Sequence, residues 1–157
     1  MIVAPAPDAI LFIRRAERTG DPWSGHMALP GGRRESTDTD LVETAIRETS
    51  EEVGLRLSRA ALLGPLDDVV PRTPVLPPIA VRPFVFELGA RPELTLSPEV
   101  AVVRWTSLDH LLHPLTHHPV QIQVRGETRD MPAYELDDAI VWGLTERVVT
   151  SLLAHLR

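Results

Sequence analysis

The sequence predicts one mixed α/β domain, and three observations carry that expectation. Short runs of apolar, β-branched and aromatic residues recur at 9–13, 79–88 and 100–105 and have the length of strands. Two other segments, 41–55 and 137–156, place their apolar residues at helical spacing. No linker, repeat or low-complexity tract divides the chain, so residues 1–157 are expected to form a single domain. Periodicity by itself leaves α/β and α+β both open.

Met1 to Ile13 is apolar, but it lacks a basic leader and is interrupted by Pro5, Pro7 and Asp8. It fits neither a signal peptide nor a spanning helix. Within it, Ala9 to Ile13 is an expected strand that ends at Arg14-Arg15. Arg18 to Gly25 holds Gly20, Pro22 and Gly25 and is an expected loop, in which Trp23 is either a packing plug or a binding platform. His26 to Leu29 extends again, and Pro30-Gly31-Gly32 turns the chain. The helix over 41–55 then has a definite beginning and end. Thr39 or Asp40 is its N-cap, Glu43 completes a capping box, and Gly54 is the left-handed residue that stops it. Val42, Ile46, Thr49 and Val53 form its expected buried stripe.

Leu62 to Val70 is another extended candidate, broken by Gly64-Pro65. Pro71 to Pro78 holds four prolines in eight residues and is expected to be a loop or sheet edge. Ile79 to Leu88 is a strand buried on both faces, in which Pro83 implies an edge, a bulge or a strand start. Val100 to Trp105 is a strand, and Ser107 caps a short helix to Leu112. His113, His117 and His118 lack cysteine partners and regular ligand spacing, so they are expected to be solvated loop histidines rather than a zinc site. Val120 to Arg125 and Arg129 to Leu136 form a hairpin around Gly126-Glu127-Thr128. Asp137-Asp138 is expected to cap a final helix with Ile140, Val141, Leu144, Val148, Leu152 and Leu156 as its stripe, Gly143 allowing close approach.

Composition removes several functions. The net charge of −6 argues against a large nucleic-acid surface, while a small phosphorylated substrate stays compatible. There is no Cys, which excludes disulfides and thiolate chemistry, and all 16 basic residues are Arg. A Walker lysine is therefore absent, and any side-chain cation that holds phosphate must be an arginine. No window of 18 apolar residues exists, so no membrane partner is expected and the cytoplasm is the expected location.

Glu48, Glu51 and Glu52 stand at i, i+3 and i+4 and are expected to share a helix face away from the stripe. Like charges at that spacing repel by a few tenths of a kcal/mol, roughly, per pair. A hard divalent cation such as Mg²⁺ would convert that repulsion into binding; the plain alternative is a solvated acidic face.

Pro30-Gly31-Gly32 followed by Arg47-Glu48-x-x-Glu51-Glu52-x-Gly54-Leu55 resembles the Nudix box, the loop-helix-loop signature of the Nudix hydrolases. Two features resemble the branch acting on coenzyme A: Asp38 at the acidic loop position, and one extra residue between it and Arg47. Trp142-Gly143-Leu144-Thr145-x-Arg147 resembles a segment near the end of that branch, whereas Trp23-Ser24-Gly25 stands where its members commonly have His-x-Gly.

The resemblance implies an α/β/α sandwich with a mixed central sheet. It also implies a hydrolase that splits a diphosphate linkage in a nucleotide-type substrate with Mg²⁺ or Mn²⁺, coenzyme A or a derivative being the first candidate. A nucleoside triphosphate or nucleotide-sugar pyrophosphohydrolase, or a non-catalytic nucleotide sensor, are the alternatives. Glu48, Glu51, Glu52 and the Gly32 carbonyl are the candidate metal ligands. Arg47 would orient a carboxylate, and Glu99, in a loop that resembles one reaching Nudix active sites, is a candidate base or further ligand. The candidate catalytic set is thus Glu48, Glu51, Arg47 and Glu99; Arg14, Trp23 and Arg82 are the candidate substrate contacts. The oligomeric state stays open, a homodimer included.

Overall fold

The computed structural model describes residues 1–5, 8–21, 23–71, 79–124 and 126–156. The chain runs β1 (Ile2–Ala4), β2 (Ala9–Arg15), β3 (Met27–Ala28), α1 (Leu41–Val53), β4 (Leu62–Pro65), β5 (Phe84–Glu87) and β6 (Val100–Ser107). It continues α2 (Leu108–Leu112), β7 (His117–Val124), β8 (Glu127–Leu136), β9 (Ala139–Trp142) and α3 (Gly143–Ala154).

The central sheet is built on β2, whose first five residues are all buried. β6 pairs antiparallel from Ala9 to Arg15, while β1 pairs at Ala9 and Ile10 and β3 at Ile13 and Arg14. β1 then joins β5 in parallel and β5 joins β4 antiparallel, so the sheet is mixed. The side-chain period of two sends alternate residues of β2 to opposite faces. Ile10 and Phe12 pack in one cluster with Leu136, Val141, Val149 and Leu153, which belong to the second sheet and α3. Leu11 and Ile13 pack in the other with Val53, Leu57 and Phe86, on the α1 side. Each fully buried side chain of this kind contributes about 1.5–3 kcal/mol, so one strand holds both layers of the α/β/α sandwich together.

A smaller antiparallel sheet, β7-β8-β9, lies over the α3 side. It corrects the expected final helix. Ala139 to Trp142 pair with Ala133 to Leu136 as a strand, and Asp137-Asp138 is the turn between β8 and β9. The β-branched and aromatic run Ile140-Val141-Trp142 favours the pleat. Gly143 starts α3 at φ 67°, and a Cβ placed there would meet nothing, so its use is backbone conformation and not close approach. The histidine expectation changes as well, since His117 and His118 lie within β7.

The strand expected over 79–88 narrows to β5, because Pro83 lacks the N–H that a ladder needs and sits immediately before it. Beyond it an isolated bridge, Val69 to Val81, and a Leu66 N–H to Pro83 carbonyl bond join the flanking segments, and the stretch expected over 62–70 ends as a strand at Pro65. Most of the proline-rich loop, 72–78, lies outside the described residues. β1 was not expected; its three residues are too few for periodicity to register.

Candidate active site

The α1 helix begins and ends where its caps dictate. Asp40 accepts the Glu43 N–H at 2.8 Å, and the Glu43 carboxylate accepts the Thr39 N–H at 2.7 Å, a reciprocal capping box. At the other end Gly54 takes φ 70°, and its N–H returns to the Ser50 carbonyl. The loop before β6 docks on this end: Thr95 donates its N–H to the Val53 carbonyl at 3.0 Å, and Ser97 to that of Glu52 at 2.9 Å. Helix termination therefore brings the Glu99 loop beside the glutamates.

The three glutamates, expected on one helix face, differ in burial. Glu52 is 8% exposed and accepts the Gly31 N–H at 2.9 Å, so it points in towards the glycine turn. Glu48 has a side chain 18% exposed, and Glu51 is open to solvent. A Cβ on Gly32 would lie 2.3 Å from the Glu48 carboxyl carbon, so only glycine lets that carboxylate press against the loop. Gly31 stands at φ 150°, again a conformation that suits glycine.

Arg47 relieves the like-charge repulsion from one turn before. Its Nε and Nη2 grip both Asp38 oxygens at 3.0 and 3.1 Å. Its Nη1 donates to Glu48 at 3.1 Å and to Glu51 at 3.0 Å, and Nη2 also reaches the Arg33 carbonyl at 2.9 Å. The planar fork allows all of these at once, which lysine could not do. Asp38 is buried at the base of this network and also accepts from Glu35 N–H and Thr44 Oγ1, each at 2.9 Å. The Arg47 hydrogen bonds, and then the Glu35 N–H, hold its carboxyl far below the usual range. Spacing alone marked Asp38 as an acidic loop residue; its role as the anchor of Arg47 became visible only in three dimensions, and Thr44 gave no sequence signal.

Burial sets the electrostatics of the remaining carboxylates. It pushes Glu52 up to about 7, opposed by the Gly31 hydrogen bond and reinforced by the charge of Glu48. It also raises Glu48, opposed by the Arg47 hydrogen bond. Arg15, which sequence reasoning missed, adds a nearby positive charge that favours ionised Glu52, while its own Nη2 is held by Asp21 at 2.9 Å. Glu99 is exposed and accepts from Arg18 at 3.0 Å, and its charge also reaches Glu52.

These donors fit a hard divalent cation. Two carboxylates meet at the Gly31-Gly32 backbone, and burial penalises their charge as long as no cation is there to balance it. Among the described residues no three acidic or histidine side chains form a cage by themselves. The matching ion is one that keeps several waters and takes few protein oxygens, as Mg²⁺ does.

The other candidates lie elsewhere. Arg82 is gripped by both oxygens of Asp68 at 2.7 and 2.8 Å. Trp23 is 44% exposed in the β2–β3 loop, its backbone N–H donating to the Asp21 carboxylate. Arg14 leaves β2 on the face opposite Arg15 and lines a cavity of about 580 Å³. The histidines have separate partners: His117 meets Glu146 at 2.8 Å and His118 meets Glu135 at 2.9 Å. Among the described residues no helix is long and apolar enough to cross a membrane.

Comparison with known proteins agrees with this geometry. The NUDIX domain family model matches residues 1–125. An uncharacterized Schizosaccharomyces pombe protein, C14C4.10c, is 42% identical over 118 residues, which cover 72% of this chain and 36% of that protein. The mitochondrial coenzyme A diphosphatase NUDT8 of Mus musculus is 32% identical over 157 residues, 94% of this chain and 70% of the mouse protein. The chain thus spans about a third of the yeast relative's length. In fold it is similar to a MutT/nudix family protein from Enterococcus faecalis, with a TM-score of 0.68 at 17% identity over 99% of this chain and 60% of that one. The family model covers most of the chain and the mouse relative is 32% identical over 94% of it, so this chain belongs to the Nudix hydrolase family.

Proposed function

We propose that this chain is a divalent-metal-dependent hydrolase that splits the diphosphate linkage of a nucleotide-type substrate by water attack, with coenzyme A or a derivative as that substrate. The observation that carries the reading is the pressing of the Glu48 and Glu52 carboxyls against Gly31-Gly32, with Arg47 locked to Asp38 behind them. When bound, Mg²⁺ or Mn²⁺ supplies charge against the phosphoryl oxygens and lowers the pKa of a water. Glu48, Glu52 and the Gly32 carbonyl would hold the ion, and Glu51 would complete the acidic set. Arg47 fixes the orientation of Glu48 and Glu51, and Glu99, whose charge reaches Glu52, is the proposed base for the attacking water.

The choice of coenzyme A rests on the mouse relative's activity, on Asp38 and on the extra loop residue before Arg47. One core cluster draws residues from Met1 to Leu153, which supports one domain over 1–157. A chain without cysteine suits a reducing compartment, and the cytoplasm is the proposed one.

The test is turnover of coenzyme A, ADP-ribose, dinucleoside polyphosphates and nucleoside triphosphates with Mg²⁺ or Mn²⁺. Metal-dependent cleavage of coenzyme A above the others is expected. Cleavage of none of them overturns the hydrolase reading, and preference for another substrate overturns the choice of coenzyme A.

A further inference from the structure

The cavity of about 580 Å³ is large enough for a sizeable ligand part, yet none of the box glutamates lines it. It lies between β3, the end of β2 and the β7-β8-β9 sheet, and its lining includes Arg14, His26, Gln121, Gln123, Asp138 and Trp142. β2 connects it to the diphosphate site. Arg14 enters the cavity from one face of the strand, and Arg15, on the other face, exerts its charge on Glu52. The diphosphate site and this space thus flank β2 from its two faces, and β3 is the edge strand of that sheet.

The lining states what that ligand part is made of. Glu135, Asp137 and Asp138 border the cavity, giving, among the described residues, three carboxylates against the guanidinium of Arg14. Arg104 pairs with both Asp137 and Asp138, and His118 pairs with Glu135, so these acids are fixed in place by partners outside the lining. With Arg104 counted, the group still carries an excess of one negative charge when His118 is neutral, which disfavours entry of a phosphate. The neutral donors and acceptors tell the same story. The Gln121 amide and the Arg14 fork suit carbonyl oxygens, beside a Gln123 amide that donates to the Thr128 hydroxyl at 2.5 Å, and the carboxylates suit N–H groups. The edge-on pair of His26 and Trp142, with ring centroids 5.1 Å apart, supplies apolar surface.

We infer that this cavity seats the uncharged, amide-bearing arm of the substrate, the pantetheine arm if that substrate is coenzyme A, and that it excludes the phosphorylated nucleoside end. The inference rests on the reading of a diphosphate substrate given above, but its test does not depend on turnover. The two halves on either side of the diphosphate, phosphopantetheine and the adenosine bisphosphate, are titrated separately into the Mg²⁺-loaded full chain. Amide and indole N–H resonances of Gln121, Gln123 and Trp142 are followed by NMR, with calorimetry for affinity.

Phosphopantetheine should shift these three resonances, and Arg14→Leu should weaken its binding about tenfold. The adenosine bisphosphate should leave the three resonances in place. Gln121→Leu, an exposed strand position, serves as the second variant if Arg14→Leu does not fold, with a loss of about threefold. Shifts produced by the adenosine bisphosphate and not by phosphopantetheine overturn the inference, as does phosphopantetheine binding that neither variant weakens. Failure to hydrolyse coenzyme A, by contrast, would sink the functional reading and leave these binding results to stand or fall separately.

Discussion

Glu52→Gln separates stability from catalysis at one atom. The Glu52 carboxyl ordinarily ionises at 4.5 and is pushed up to about 7 here, chiefly by burial. Below about pH 4.5 both folded and unfolded chains are protonated at this group, and it contributes nothing. Between about 4.5 and 7 the folded protein keeps a proton that the unfolded chain has lost, so wild-type stability falls as pH rises through that window. Above about 7 the folded protein carries the buried charge, and the cost is complete. That displacement corresponds to roughly 3 kcal/mol above pH 7, and to under about 1 kcal/mol at pH 5.

The glutamine amide is always neutral, and its oxygen still accepts the Gly31 N–H. Thermal denaturation in EDTA at about pH 8 should therefore show Glu52→Gln more stable than wild type by up to about 6–12 °C in a chain of this size. The gap should shrink to a few degrees at about pH 5. Mg²⁺ should raise the Tm of wild type at pH 8 and not that of the variant, which should also lack turnover. A Glu52→Gln protein less stable than wild type at pH 8, or a gap independent of pH, would refute the account of a buried, cation-seeking carboxyl.

Arg47→Lys should keep the fold and reduce turnover about 10–100-fold with a raised Mg²⁺ requirement, because an ammonium cannot hold Asp38, Glu48 and Glu51 at once; Mg²⁺ titration of the initial rate checks this. Gly32→Ala places a methyl group within 2.4 Å of the Glu48 carboxylate oxygens, so activity should fall at least tenfold while the circular dichroism spectrum stays that of wild type. His117→Ala removes one of the two hydrogen-bond partners that buried Glu146 has among the described residues, leaving Thr150, and should destabilise by roughly 1–3 kcal/mol in urea unfolding, without moving the kcat of the Mg²⁺-loaded protein.

Some of this protein is legible along the chain because its causes are local. The α1 helix, its capping box and its Gly54 stop depend on residues within four positions of one another, and each forms as the spacing predicts. The box of Gly31, Gly32, Arg47, Glu48, Glu51 and Glu52 names the family for the same reason: loop and helix are contiguous. Short-range reasoning fails where pairing decides. Ala139 to Trp142 carry helical spacing continuous with α3, yet β8 offers them a ladder and they become a strand. The tertiary structure alone ranks the three glutamates. Helix periodicity gives them one face, but the glycine turn folds over Glu52, Arg47 bonds an exposed Glu51, and the strand pair Arg14–Arg15 separates a cavity from the carboxylate site. A helix fixes the angles between its own side chains; what buries each of them is set by segments tens of residues away, and that is a property of packing.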